Sequence, residues 1–238
     1  MAYQYTDCKF VDIKNESDVV KRYFIKFPDE INFTFKPGQF VMLDLPIPAK
    51  YTNRAYSIAS PPGNDNIFEL AIVLNPEGKG TPFLFQNAEI GSTVKVSKAL
   101  GKFTLPDPID HDLCFICTGT GIAPLRSMLL HIYNKDIPHK NIYMIFGNRW
   151  EKDILYRKEM EDLAERNPEF KFIPVLSRKN DGWIGRTGYV HPVYEELFSD
   201  KRPATFFICG WKDMLNEARE RIATMGYDKK QIRFESYD

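Results

Sequence analysis

The sequence predicts two domains: an antiparallel six-stranded β-barrel over residues 1–107, then an α/β parallel-sheet domain over 108–238. Three observations predict this. Up to about residue 105 the chain runs as short β-rich stretches divided by Pro, Gly and Asn clusters, with almost no helical period. After Pro106-Asp-Pro108, apolar runs alternate with amphipathic helices, the pattern of a parallel sheet covered on both faces. At the head of this second part, Leu113-Cys-Phe-Ile-Cys117 breaks into Thr118-Gly-Thr-Gly-Ile-Ala-Pro124 and then reads as a helix.

In the first half the expected strands are 5–13, 20–27, 39–45, 55–59, 68–74 and 94–98. Six such runs suit a small barrel. The exception is 81–87, one or two helical turns after Gly78-Lys-Gly80, which has the form of a phosphate-facing helix start. In the second half, apolar runs at 113–117, 141–146, 170–176, 205–209 and 231–235 alternate with helices at 122–133, 152–165, about 192–198 and 212–225. Each long helix has a core-facing stripe: Ile122, Leu125, Leu129 and Ile132; Tyr156, Met160, Leu163 and Ala164; Leu215, Ala218, Ile222 and Met225. The charged stretch 149–171 reads as a solvated helix face.

Composition bounds the function. With 43% hydrophobic and 27% charged residues, the 238-residue chain is globular and long enough for two cores. Lys plus Arg equals Asp plus Glu, 32 against 32, so no global field favours nucleic acid or an anionic membrane. No run is long and apolar enough to span a bilayer, the start lacks a leader pattern, and a cytoplasmic monomer is expected. Cys114-Phe-Ile-Cys117 has a C-x-x-C spacing used for zinc or redox chemistry, but its apolar setting and the scattered histidines favour core packing. No metal site is expected, and neither G-x-S-x-G nor G-x-x-x-x-G-K-[ST] is present.

Two stretches carry chemistry. Arg54-Ala-Tyr-Ser57 sets a cation, a flat ring and a hydroxyl along one extended run, with Arg54 and Tyr56 on one face and Ala55 and Ser57 on the other. A flat ligand with a phosphate tail suits it, the arginine forking onto oxygens and the ring stacking. The second is the turn 118–124, where glycines let an anion approach the backbone and Pro124 fits a helix's first turn. Ligands of such sheets sit beyond the carboxyl ends of the strands. That edge collects the turn, Phe146-Gly-Asn-Arg149, Ser177-Arg178, Gly185-Arg186 and Cys209-Gly210.

With these pieces in order, the sequence resembles the ferredoxin-NADP reductase family along essentially its whole length. Arg54-Ala-Tyr-Ser57 resembles its R-x-Y-S flavin motif, Gly78-Lys-Gly-Thr81 its pyrophosphate turn, and Gly101-Lys-Phe103 the stretch closing the barrel. Thr118-Gly-Thr-Gly-Ile-Ala-Pro124 is similar to its dinucleotide loop, Cys209-Gly-Trp-Lys-Asp-Met214 to its C-G-x-x-x-M element, and Glu235-Ser-Tyr237 to its Glu-x-aromatic ending. Here Asp238 follows that tyrosine, whereas plant-type members end on the aromatic.

The resemblance implies FAD and NADPH as cofactors and an enzyme of the EC 1.18.1 class. Arg54 would bind the flavin pyrophosphate with Lys79, Gly80 and Thr81; Tyr56 would stack on the isoalloxazine and Ser57 bond near its N5. Ala55, Ile72 and Leu74 also count among the flavin-binding residues. Thr118, Gly119, Thr120, Gly121, Pro124, Arg149, Gly210 and Met214 would receive the dinucleotide, with Cys209 by the nicotinamide. Glu235 would support hydride transfer with Ser57, and Tyr237 would cover the flavin and yield to nicotinamide. Ser177, Arg178 and Arg186 resemble the S-R and G-R pattern of NADPH-using members and supply cations for a 2′-phosphate. The chain lacks C-x₄-C-x₂-C, so electrons must leave to a separate carrier. A ferredoxin or flavodoxin is expected first, with an oxygenase component or free flavin as alternatives. A non-catalytic flavin-binding regulatory module is the alternative of another class.

Overall fold

Inward-facing apolar residues on successive short strands fold the first part of the chain into a closed sheet. The computed structural model describes residues 3–178 and 181–237, so Asp238 lies outside the described residues. The chain divides into two compact units, one of Met1–Leu105 with Arg126–Lys135, the other of Pro106–Leu125 with Asp136–Asp238.

The first unit holds β1 (Tyr5–Asn15), β2 (Val20–Lys26), β3 (Phe40–Asp44), β4 (Asn53–Ser57), β5 (Ile67–Val73) and β6 (Thr93–Ser97). They form one antiparallel sheet in the order β4-β3-β6-β1-β2-β5. An antiparallel bridge between Ile58 and Leu70 joins the two end strands, so the sheet closes as the sequence predicted. That closure explains one difference in register. The fourth strand was expected at 55–59, but it is Asn53–Ser57, because Ile58 and Ala59 turn to β5, where Ala59 N donates to Glu69 O at 2.8 Å. Inside lie Phe10, Tyr23, Ile25, Val41, Leu43, Phe68 and Leu70. Phe27 stacks on Phe33 with centroids 4.1 Å apart, and each such buried ring contributes about 1.5–3 kcal/mol. Helix α1 (Gly80–Asn87) packs Leu84 against this core.

The barrel also buries a charged network. Glu69, its side chain 3% exposed, accepts from Arg22 Nε at 2.6 Å and Nη2 at 3.1 Å, and from Arg126 Nη1 at 3.2 Å. Arg126 Nη1 also donates to Ala59 O at 2.8 Å, and Ser127 Oγ to Ser60 O at 2.7 Å. The chain just after Ser57 is therefore held by side chains as well as by the ladder.

Tyr23 is a different case: its ring is fully buried, and its hydroxyl finds no hydrogen-bond partner among the described residues. Burial pushes its pKa up, and the neutral hydroxyl still loses its water. Tyr23→Phe is expected to stabilise the protein by about 1 kcal/mol, which a chain of this size shows as a rise of about 2–4 °C in Tm in a thermal melt. A lower Tm would mean that the hydroxyl has a partner.

The first strand of the second unit is β7 (Asp112–Thr118), which passes through a tight turn at Gly119–Gly121 into α2 (Ile122–Asn134), a helix whose part from Arg126 onward belongs to the first unit. There follow β8 (Ile142–Asn148), α3 (Arg157–Arg166), β9 (Phe170–Leu176), β10 (Arg186–Thr187), α4 (His191–Leu197), β11 (Ala204–Trp211), α5 (Lys212–Thr224) and β12 (Ile232–Tyr237). The sheet is parallel throughout, in the order β10-β9-β8-β7-β11-β12. Two details depart from expectation. Five strands were expected and β10 makes a sixth, two residues long and pairing Arg186 with Val175. The helix expected from 152 starts at Arg157, because Tyr156 takes a left-handed backbone (φ 53°) after a tight turn at Glu151–Asp153. The solvated face is laced by Arg157–Glu161 and Lys158–Asp162 pairs. Cys114 and Cys117 are both buried in β7, and all four cysteines are free. No described helix is long and apolar enough to cross a membrane.

Candidate cofactor and dinucleotide sites

In the first unit the strand and the helix start meet. Arg54 runs across the beginning of α1: a Cβ on Gly80 would stand 3.1 Å from Arg54 Cγ and 3.2 Å from Nε. A side chain there would press on the arginine and push it aside by a few tenths of an ångström. Its Nη1 donates to Tyr51 O and Asn53 O, each at 2.8 Å, which fixes the guanidinium; its other N–H groups could serve an anion. The first turn of α1 has no acidic residue and no side-chain cap, so its N–H groups and positive dipole end suit the same charge. Lys79 and Thr81 build the loop: Lys79 Nζ donates to Pro48 O at 2.7 Å, and Thr81 Oγ1 accepts from Asn75 N at 2.8 Å. The cradle therefore fits a pyrophosphate through Arg54 and backbone, with Lys79 and Thr81 holding its shape.

Tyr56 is half-buried against the barrel core, and burial pushes its phenol up to about 12, so it stays neutral beside Arg54. Ala55 is exposed and Ser57 buried, although both were placed on one face. The strand bends after Ser57 toward β5, which draws that residue inward. Ile72 lies in the barrel core; Leu74, just past β5, is held by its N–H to Val19 O at 2.8 Å.

In the second unit, strand order reverses at β7, with β8 on one side and β11 on the other, the place where open sheets of this class take ligands. The turn of Gly119, Thr120 and Gly121 leaves β7 there and runs into α2, whose first turn contains Pro124 and no acid. Its two glycines are needed for different reasons. Gly119 has φ +51° and open space around it; Gly121 has no such backbone demand, but a Cβ there would lie 2.3 Å from Cys209 O. Gly210 (φ +140°) is packed the same way against Thr118, whose Oγ1 accepts from Trp211 N at 3.2 Å. Thr118 thus ties the ends of β7 and β11 together.

Cys117, Cys209 and Glu235 stand in register across β7, β11 and β12. Burial pushes the Cys209 thiol well up, reinforced by the Glu235 carboxylate and Cys117. The thiol stays protonated, a compact apolar group with a weak donor and no nucleophile. Three of the four expected catalytic residues, Cys209, Glu235 and Tyr237, are therefore gathered at one sheet end; Ser57 belongs to the first unit. Met214, in the first turn of α5, packs against the core.

At the far side of the same edge, Ser177 N donates to Asn148 O at 2.9 Å and Arg178 N to Arg149 O at 3.0 Å, which places Arg149 beside Arg178. Arg149, Ser177, Arg178 and Arg186 are all exposed. Arg178 lies 5.5 Å over the Trp150 ring, and Arg186 is paired with Glu196. Sequence reasoning missed Glu69, Arg126, Trp150 and Glu196. A glutamate inside the apolar run 68–74 and an arginine inside an apolar helix stripe were the available signals for the first two.

Comparison with known proteins agrees with both halves. An oxidoreductase FAD-binding domain family matches residues 7–105 and an oxidoreductase NAD-binding domain family matches 115–220. The chain is 34% identical over 239 residues to ferredoxin–NADP reductase B of Sorangium cellulosum, covering 98% of this chain and 97% of that protein. It is 26% identical to the glycine betaine monooxygenase reductase subunit of Chromohalobacter salexigens, covering 95% of this chain but 62% of that one. A solved ferredoxin NADP+ reductase from Neisseria gonorrhoeae with bound FAD and NADP is 25% identical, with a TM-score of 0.84 and 99% of each chain covered.

Proposed function

Because the chain belongs to the ferredoxin–NADP reductase family, as an oxidoreductase with FAD- and NAD-binding domains, we propose that it takes hydride from NADPH and passes single electrons to a separate carrier. A cytoplasmic ferredoxin or flavodoxin is the carrier proposed. When bound, FAD supplies the conversion between two-electron and one-electron transfer. The observation that carries the reading is the register row Cys117–Cys209–Glu235 beside the glycine turn, in a chain that also holds the Arg54–Gly80 anion cradle.

The chain's own residues bind and orient. Arg54 and the start of α1 hold the pyrophosphate, Tyr56 offers a neutral ring, and Ser57 a buried hydroxyl. The 118–124 turn receives the dinucleotide phosphates on backbone N–H groups. Cys209 gives the nicotinamide a small uncharged neighbour, with Glu235 in register beside it on β12. Distance and orientation are the protein's main contribution to such a transfer.

Arg178, with Arg149 and Arg186 nearby, supports NADPH over NADH. Neutralising Arg178 and Arg186 together is expected to raise the KM for NADPH about tenfold or more and that for NADH little, since only the former has a 2′-phosphate to lose. Equal effects would sink the assignment. The carrier is tested by reoxidising reduced protein with ferredoxins, flavodoxins and free flavin in turn. Fast reoxidation by free flavin alone would favour a flavin reductase. The match to monooxygenase reductase subunits supports an oxygenase component as the second reading, to be included in the same assay.

A further inference from the structure

Arg186 is not a bare cation. Its Nη1 and Nη2 donate to the two carboxylate oxygens of Glu196 at 2.7 and 2.9 Å, a bidentate fork. Each partner supports the other's charge: the hydrogen bond with Glu196 raises the Arg186 pKa, and the bond from Arg186 lowers that of Glu196. Arg178 differs, for among the described residues it stacks on Trp150 and pairs with no carboxylate. Both arginines lie at the same sheet end, since Arg186 opens β10 opposite Val175 and Arg178 follows Leu176 by two residues. The Arg186 and Glu196 side chains are 50% and 60% exposed, so the pair is held by its fork and not by burial, and it opens at modest cost.

We propose that Glu196 sets the dinucleotide preference by occupying Arg186, so that a ribose 2′-phosphate must displace a carboxylate that a 2′-hydroxyl leaves in place. This rests on the NADPH reading of the Ser177, Arg178 and Arg186 site. A phosphate carries more charge than a carboxylate and wins the arginine, but it gains less than it would from a free one. A neutral ribose meets no such competition, because it leaves the fork with Glu196 closed. Glu196 thereby narrows the gap between the two dinucleotides.

The test is a calorimetric titration of the FAD-loaded protein with 2′-phospho-AMP and with AMP, which differ only in the phosphate in question. Glu196→Gln is expected to tighten 2′-phospho-AMP about three- to tenfold and leave AMP unchanged, with the gain shrinking as salt rises. Arg186→Gln should cost less in the native protein than in the Glu196→Gln background, where it should erase the gain. If Glu196→Gln changes neither ligand, or tightens both equally, the proposal is overturned. The two readings fail separately. A native preference for 2′-phospho-AMP that Arg178→Gln abolishes and Glu196→Gln leaves alone would retain NADPH and dismiss Glu196. No native preference, with a clear gain in Glu196→Gln, would dismiss NADPH as the natural dinucleotide and retain Glu196 as the reason.

Discussion

Gly121→Val is expected to lower kcat/KM with NADPH by about 100-fold or more while FAD remains bound. A Cβ at this position would meet Cys209 O at 2.3 Å, Cys209 C at 2.6 Å and Gly210 Cα at 2.9 Å, all backbone. No side chain can swing aside, so the turn must lift from the end of β11. Shifting a reacting group by about 1 Å costs on the order of 100-fold, or about 2.7 kcal/mol in the barrier. The proposed flavin contacts Arg54, Tyr56 and Gly80 belong to the other unit, so the flavin spectrum should persist. Gly119→Ala is the contrast. Space is open there, and the penalty is the left-handed backbone at φ +51°, about 1–2 kcal/mol and a correspondingly milder loss. Steady-state kinetics on both variants, with flavin content read from absorbance, distinguish a packing constraint from a backbone one. Equal losses in the two would mean that Gly121 is not held against Cys209.

Glu69→Ala is expected to destabilise the protein by about 3–5 kcal/mol, because it removes a buried carboxylate that both Arg22 and Arg126 contact inside the barrel, although Arg22 keeps its longer pair with Glu16 at 3.4 Å. At this chain length that loss shows as a fall of roughly 6–20 °C in Tm. The carboxylate is 3% exposed and the Arg126 side chain 6%, so water cannot replace it readily. Replacing Glu69, Arg22 and Arg126 together by leucine should recover much of the loss, since the desolvation cost disappears with the charges. A Tm for Glu69→Ala within 2 °C of the native value, roughly the shift of a single kcal/mol, would show that the network contributes little.

These two sites show what a sequence can and cannot disclose. The glycine turn was legible because a strand, two glycines, a proline and a helix stripe follow each other within a few residues, so local geometry and composition agree. The Glu69 network was not, because its partners lie 47 and 57 residues away and only the closed barrel brings them together. The same difference runs through the fold. The long alternating runs were read nearly to their ends, whereas β10 is two exposed residues with no period to detect. The start of α3 was hidden by a left-handed Tyr156, a conformation that its residue type does not announce. At the candidate site, Arg186 could be picked out as a cation, but its commitment to Glu196 depends on α4 folding back beside β10. Lys79 and Thr81 are picked out by motif, whereas the bonds of their side chains to Pro48 and Asn75 depend on how the loop folds.

If the family reading holds, bound flavin in this protein is reduced by NADPH. Anaerobic stopped-flow mixing of the FAD-loaded protein with NADPH, followed at the flavin absorbance near 450 nm, tests it most directly. The yellow colour is expected to bleach in a single turnover, faster with NADPH than with NADH, and to return when a ferredoxin or flavodoxin is added. A bound flavin that stays oxidised in the presence of excess NADPH and NADH would contradict it, and would leave a flavin-binding regulatory module as the better description.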